Sequence, residues 1–239
     1  MLNDEKIDIS FNVYDDANGG DPDTKSKTLN HYHYLLWNKP LPNGRILTLE
    51  KVGRTTFYLY HESASGNFLL SSDSIIHPYD YWKSMKHIID LFDKKVINNF
   101  HITGATIGGY IVFPAKRIDE KPTINCIRGM HGLIKDRFDL TLESIRRWYI
   151  GETSPLYRHI ERYKNFFNLF TNFKGYIDFF LLNDLVDDDY HIKFYLPFED
   201  FEKTKPLPRT KEEYTVYMNQ SLQFVRARNQ RILSWINNN

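Results

Sequence analysis

The sequence predicts an α+β fold in a single domain, an antiparallel sheet packed by four or five helices. Short β-branched and aromatic runs between turn residues fill the first half, and apolar residues spaced three and four apart dominate the second. A hydrophobic content of 41%, with 17 Phe, 16 Tyr and 4 Trp, supplies enough apolar surface to offset the conformational entropy of folding. The 239 residues exceed the usual domain size of roughly 100–200, and long connections reconcile that length with one domain over 1–239.

Ile7, Ile9, Phe11 and Val13 alternate with Asp8, Ser10 and Asn12, the period of a half-buried first strand. Asp15 to Lys27 holds Asn-Gly-Gly-Asp-Pro-Asp and reads as a loop. A short helix over Thr28 to Trp37 stops at the Pro40-Leu41-Pro42-Asn43-Gly44 run. Ile46 to Glu50, Thr56 to His61 and Phe68 to Leu70 then form an antiparallel meander.

From Tyr79 onward Trp82, Met85, Ile89, Phe92 and Val96 share one helical face, ended by Asn98 and Asn99. Thr106 to Phe113 is a strand whose paired Gly108 and Gly109 mark a bulge or a close approach to backbone. Leu133 to Ile150 has the cleanest helical period of the chain, with Ile134, Phe138, Leu142, Ile145 and Tyr149 on one face. Ser154 and Pro155 open the next helix, and Lys174 to Val186 forms a third, apolar on nearly all sides. Ile192, Phe194 and Leu196 add a strand, and Thr210 with Glu213 forms a capping box for a last helix striped with Tyr214, Met218, Val225, Ile232 and Trp235.

A formal charge of +1 creates no global field for DNA or an anionic membrane, so nucleic-acid binding is open only to a local patch. Arg226, Arg228 and Arg231 on the last helix are the residues for such a patch, with aromatic residues nearby to stack on bases. Cys126 stands alone, which favours a reducing, cytoplasmic setting and excludes a thiolate metal site. The charged start lacks the apolar stretch of a secretory signal, and the longest apolar run, Tyr176 to Val186, is far shorter than the roughly 20 residues of a membrane span.

Phosphate-loop, dinucleotide, nucleophile-elbow and His-Glu-x-x-His motifs are absent, so no cofactor is named. His31 and His33 would share a strand face but diverge on the helix expected there, which leaves no metal site. Ser71-Ser72-Asp73-Ser74 reads either as an anion site at a helix start or as an ordinary N-cap cluster. Arg128 before Gly129 places a five-donor fork on a loop ahead of a helix, a geometry suited to phosphate or carboxylate. On the helix that follows, Asp139 and Glu143 are the candidate acid, base or metal carboxylates, with Arg137 and Arg146 holding an anion. The same spacing of Asp136, Asp139, Glu143, Arg146 and Arg147 also describes solvent-exposed ion pairs.

The segments Thr106-Ile107-Gly108-Gly109, Thr123-Ile124-Asn125, Arg128-Gly129, Asp136 to Glu143 and Gly175 to Leu182 resemble an uncharacterised bacterial family, a domain of unknown function. Asp21-Pro22-Asp23 through Pro40 and Leu70 to Ser74 are similar too, so the resemblance runs through most of the chain. It implies a bacterial or phage origin and one continuous domain, and it assigns no catalytic residue or cofactor. Two functional classes remain. One is an intracellular enzyme acting on a phosphorylated small molecule, nucleotide or RNA near Arg128, Arg137, Asp139 and Glu143. The other is a non-catalytic protein that binds a protein partner, nucleic acid or a second copy of itself through its aromatic surplus.

Overall fold

The structure is a computed structural model that describes residues 7–47, 50–51, 59–63 and 66–238. Its first segment is not a strand. The Asp8 carboxylate accepts from the Ser10 backbone at 2.8 Å and from its hydroxyl at 2.6 Å, which bends the chain into a turn. Asn12 then caps helix α1 (Val13–Ala17), accepting from the Tyr14 amide at 2.9 Å. The period of two thus comes from a turn and a cap. The expected loop beyond it contains helix α2 (Pro22–Lys25), because Asp21 is an N-cap and Pro22 fits the first helical position. Helix α3 (Lys27–Trp37) forms as expected, capped by Ser26 and buried through Leu29, Tyr32, His33, Leu36 and Trp37.

The sheet is a meander, β1 (Glu50–Lys51), β2 (Leu59–Ser63), β3 (Gly66–Ser74) and β4 (Tyr110–Pro114), in that order and antiparallel throughout. The strands expected over Ile46 to Glu50 and Thr56 to His61 fall partly outside the described residues; Ile46 itself only bridges Pro40. β3 extends past the expected Leu70, and its register pairs Ser72 with Val112 and Ser74 with Tyr110. Thr106 to Phe113 opens as a 3-10 turn, Ile107–Gly109, before entering β4. The glycines mark the close approach: a Cβ on Gly109 would lie 1.9 Å from the Gly104 carbonyl oxygen, and one on Gly108 2.6 Å from the Asn229 side chain. Ile192 to Leu196 does not join the sheet. Ile192 makes an isolated bridge to Val186, and the Tyr195 amide is taken by the Asp139 carboxylate at 2.9 Å.

The helix expected after Tyr79 is two, α4 (Lys86–Ile89) and α5 (Lys94–Gly104), since Asp93 restarts the helix by capping Lys95 at 2.7 Å. Asn98 and Asn99 therefore lie inside α5. Thr123 caps helix α6 (Ile124–Met130), where a loop was expected. Helix α7 (Phe138–Tyr149) starts later than Leu133 because Lys135 and Asp136 take left-handed φ values of 51° and 59°. Helices α8 (Tyr157–Arg162) and α9 (Lys164–Phe167) follow; Ser154 caps neither, and its hydroxyl donates to the Ser144 carbonyl. Helix α10 (Phe173–Phe179) ends early, where Leu181 turns left-handed at φ 55°. The long helix α11 (Lys211–Asn237) has its Thr210 cap, while the Glu213 carboxylate reaches one residue further back, to the Arg209 amide at 2.7 Å.

One hydrophobic cluster runs through α1, α3, β3, β4 and helices α4 to α11, so the fold is α+β. α11 buries Tyr214, Tyr217, Leu222, Phe224, Val225 and Ile232 against it. Phe166, Phe170, Tyr176, Phe179 and Phe180 form a nest of edge-to-face and tilted aromatic contacts with Trp37 at its border. Among the described residues, no helix is long and apolar enough to cross a membrane.

Candidate functional site

The charged residues of α7 are engaged with one another. Arg137 and Asp139 are both fully buried and form a two-pronged pair, Nε to Oδ1 at 3.1 Å and Nη2 to Oδ2, while Nη1 donates to the Pro206 carbonyl at 3.2 Å. Glu143 accepts from Arg146 at 2.7 and 2.9 Å and from Arg147 at 2.8 Å, and Arg147 continues to Asp200. Of the last-helix arginines, Arg228 is fully buried, Arg231 holds Asp184 at 2.8 Å and Arg226 is exposed. His33 is buried and accepts the Trp37 indole N–H at 2.9 Å, and no cluster of three potential metal ligands occurs among the described residues.

Arg128 goes elsewhere. It lies on α6, wholly buried between the Phe113 and Phe138 rings, and its guanidinium pairs with Asp73 at the end of β3. Its remaining donors reach Thr141 Oγ1 at 3.1 Å and the carbonyls of Ser74 at 3.4 Å and Asp136 at 3.5 Å. Beside Asp73, the capped turn of α2 delivers Asp23, whose oxygens accept from the Ser72 amide at 3.1 and 3.0 Å and from the Ser72 hydroxyl. Ser71-Ser72-Asp73-Ser74 thus ends a strand and starts no helix. Its hydroxyls serve a carboxylate and, through Ser74, the Ile76 carbonyl.

These groups surround a cavity of about 230 Å³ lined by Asp21, Asp23, Ser72, Asp73, Ser74, His77, Tyr14, Pro22 and Tyr110. Tyr110 is 3% exposed, and its hydroxyl has no hydrogen-bond partner among the described residues. Asp136 stands behind His77, Oδ2 to Nε2 at 3.7 Å, and Tyr81 holds the other imidazole nitrogen at 3.1 Å. The left-handed Lys135-Asp136 turn that sets this carboxylate is fastened by the Tyr79 hydroxyl, which donates to the Lys135 carbonyl at 2.8 Å.

Burial raises the Asp23 carboxyl from 3.8 to about 7; the Ser72 hydrogen bonds oppose the shift, and the charges of Asp21 and Asp73 add to it. Burial likewise raises Asp73 from 3.8 to about 6 against the pull of Arg128, with Asp136 pushing further up. Burial lowers His77, only partly countered by Asp136, and lifts the Tyr110 phenol well above its ordinary value. The cavity therefore holds two carboxyl groups whose proton affinities straddle the upper acid range, a donor and an acceptor side by side.

Gly129 contributes by lacking a side chain. A Cβ there would lie 2.7 Å from Asp136 Oδ2 and 3.2 Å from its Cγ. Gly129→Ala gains about 1 kcal/mol in helix propensity, but displacing the carboxylate costs about 1–3 kcal/mol. We expect a net loss of about 1 kcal/mol in urea denaturation and a further fall of the His77 pKa by NMR titration. Unchanged stability together with an unchanged His77 titration would contradict this packing.

Of the residues singled out in the sequence, Ser72, Asp73 and Ser74 line the cavity, Arg128 stands behind it on Asp73 and Gly129 behind it against Asp136, and Arg137, Asp139, Glu143 and Arg146 are not part of the cavity wall. His77 and Tyr110 were missed, and Asp23, Asp73 and Asp136, though they lie in segments the sequence singled out, were not read as carboxylates of one site. A signal existed for Asp23, because Asp21-Pro22 is a helix-start pair and fixes the direction of the residue after it. Residues 7–232 match the model of DUF6994, a family of unknown function. No curated protein and no solved structure matches the chain.

Proposed function

We propose, for a chain that belongs to the DUF6994 family of unknown function, an enzyme that uses Asp23 and Asp73 as a proton-transfer pair on a small polar substrate. The observation that carries this is the pair itself: two carboxyls in one cavity, held at about 7 and about 6, beside a buried Tyr110 hydroxyl that has no hydrogen-bond partner among the described residues. At neutral pH Asp23 supplies a proton and Asp73, held by Arg128, accepts one. Tyr110 and Ser74 flank the cavity as hydrogen-bonding groups, and His77 enters largely neutral.

The acidic lining favours a neutral or cationic group rich in hydrogen-bond donors, such as sugar hydroxyls or an amine, over a phosphate. The guanidinium of Arg128 is already committed to Asp73, so it offers no free fork to an anion. Four of the segments that carry the family resemblance, around Asp21-Pro22-Asp23, Ser72-Asp73-Ser74, Asn125 and Arg128, meet here, with Asn125 donating to Ser71 Oγ at 3.0 Å. The same resemblance, with the exposed free Cys126, supports a bacterial cytoplasm as the working compartment.

The carboxyl pair imposes a pH dependence with a definite sign. Both groups have folded pKa values above the unfolded 3.8, so between about pH 4 and 7 the folded chain binds more protons than the unfolded one. The contribution of these two groups to stability therefore falls as pH rises through that window, with a slope of up to about 1.4 kcal/mol per pH unit per group, while the lowered His33 and His77 oppose it below about pH 6.5 and the lowered Lys39 adds stability above about pH 7. Urea denaturation at pH 5, 6, 7 and 8 measures it, and Asp23→Asn should remove the upper part of the slope. A parent-minus-Asp23→Asn difference in stability that shows no fall across the window, or Asp carboxyls that all titrate below 5 by carbon NMR, would sink the proton-transfer reading. The substrate class is tested by a thermal-shift comparison of nucleosides, monosaccharides and polyamines with the matching phosphates. We expect a shift from an unphosphorylated member that Asp73→Asn abolishes; a response confined to phosphates would overturn the substrate assignment.

A further inference from the structure

Across the molecule, Lys39 occupies a position that the carboxyl site does not explain. It follows α3, and although a lysine, it is only 6% exposed. Its Nζ lies 5.1 Å from the Trp37 ring centroid, 4.8 Å from Phe179 and 4.7 Å from Trp235, so three aromatic faces surround the amine. The side chain makes no hydrogen bond and no ion pair among the described residues. It forms part of the wall of a second cavity, about 450 Å³, together with Pro42, Lys174, Gly175, Asp178 and Trp235. Gly175 keeps that wall open, since a Cβ there would press on Pro42 at 2.9 Å and on the Phe170 carbonyl at 2.1 Å.

Buried lysines ordinarily end on a carboxylate or a carbonyl, because an ammonium without acceptors is costly. An amine that ends on ring faces at a cavity wall has its lone pair available as soon as the proton leaves. We propose that Lys39 is a nucleophilic amine that condenses with the carbonyl group of an aldehyde admitted to this cavity. The nitrogen lone pair attacks the carbonyl carbon and forms the C–N bond, and the carbonyl oxygen takes up a proton to become a hydroxyl. That hydroxyl leaves as water with the second nitrogen proton, giving an imine with no change of oxidation state. Flat apolar surfaces from Trp235, Phe179 and Pro42 suit an aldehyde bearing a planar or apolar body.

The electrostatic setting agrees with this chemistry. Burial, reinforced by the Arg228 charge, lowers Lys39 from 10.5 to about 7, while Asp178 opposes the shift and the ring faces favour the ammonium. Lys174, the other cation on the wall, is already held by Asp178 at 2.5 Å and by the Tyr190 hydroxyl.

The test uses the full chain with propionaldehyde and cyanoborohydride, followed by peptide mapping, which separates Lys39 from the N-terminal amine. At pH 7 roughly half of an amine with pKa 7 is neutral, against about one in 3,000 of an ordinary lysine. Lys39 should therefore be alkylated at least about 10-fold faster than the exposed Lys83 and Lys86, allowing for its lower intrinsic nucleophilicity. The advantage should shrink toward pH 10. Lys39→Met should remove that fast modification, and because the comparison is made within the unaltered chain, the test does not depend on the variant folding. Labelling of Lys39 at or below the rate of the exposed lysines at pH 7 would overturn the proposal and leave Lys39 as a charged post between three rings.

Discussion

Arg137→Met is expected to lower the stability of the folded chain by about 3–5 kcal/mol, the largest effect of any single replacement considered. The guanidinium and the Asp139 carboxylate are both fully buried, and their two parallel hydrogen bonds are each other's main compensation for lost hydration. Methionine fills a similar volume but leaves a buried carboxylate whose remaining donor is the Tyr195 amide, and it strips the Pro206 carbonyl of its partner. Removing Asp139 as well, in Arg137→Met/Asp139→Leu, should restore more than half of the loss, since a buried pair replaced by apolar groups is often nearly neutral. The restoration stays incomplete because the Tyr195 amide then has no acceptor. Urea denaturation of the two variants makes the comparison. A double variant no more stable than the single one would show that the carboxylate was not the source of the penalty. A loss of this size is comparable to the whole stability of many domains, about 5–15 kcal/mol, so the single variant is best measured at low temperature or with a stabilising salt.

Arg228→Met is expected to cost about 2–4 kcal/mol for a different reason. This guanidinium is buried with no ion pair among the described residues, and burial lowers it from 12.5 to about 10 against the more distant charge of Asp184. Its compensation comes from three carbonyls: Phe180 at 3.0 and 3.3 Å, Gly108 at 2.9 Å and Tyr110 at 2.7 Å. Methionine relieves the desolvated charge but leaves those carbonyls dry, and hydrogen bonds to charged groups are worth about 1.5–3 kcal/mol each. The lost bonds outweigh the relieved charge. Arg228→Lys should recover only part of the loss, because an ammonium cannot span three acceptors set by a planar fork. Because the Tyr110 carbonyl is one of the three, the Met variant should also disturb the Asp23 titration. A variant within about 0.5 kcal/mol of the parent, inside the range of neutral surface changes, would mean that the charge was a net burden.

How far the sequence foretold this molecule depends on where each signal resides. α11 was legible because its cap, its stripe and its length all lie within one stretch, and α3 because a proline-rich run stops it. The alternation at Ile7 to Val13 misled because Asp8 and Asn12 are also turn and cap residues, and no neighbouring strand is there to use the pattern. The expected helix after Tyr79 broke at Asp93 for the same reason: a capping side chain outranks a continuing stripe. At the site, Arg128 was recognisable as a fork suited to an acid, but the sequence pointed to the nearest carboxylates. Asp139 had a closer claimant in Arg137, two residues away, and the partner of Arg128 sits 55 residues upstream on a different element. Such a choice is made in three dimensions, where spacing along the chain carries no information.

The clamp of Arg228 on the carbonyls of Gly108 and Tyr110 spans 120 and 118 residues, and this has a bearing on the order in which the chain matures. At a synthesis rate of about 5–20 residues per second, the edge of β4 waits on the order of ten seconds after it leaves the ribosome before its partner exists. During that interval Ile111, Val112 and Phe113, all wholly buried in the finished molecule, lack the helix that covers their end of the sheet. The newborn sheet is thus a holding state that depends on the last helix for closure, and the emerging chain is most exposed to misassembly just before that helix is made.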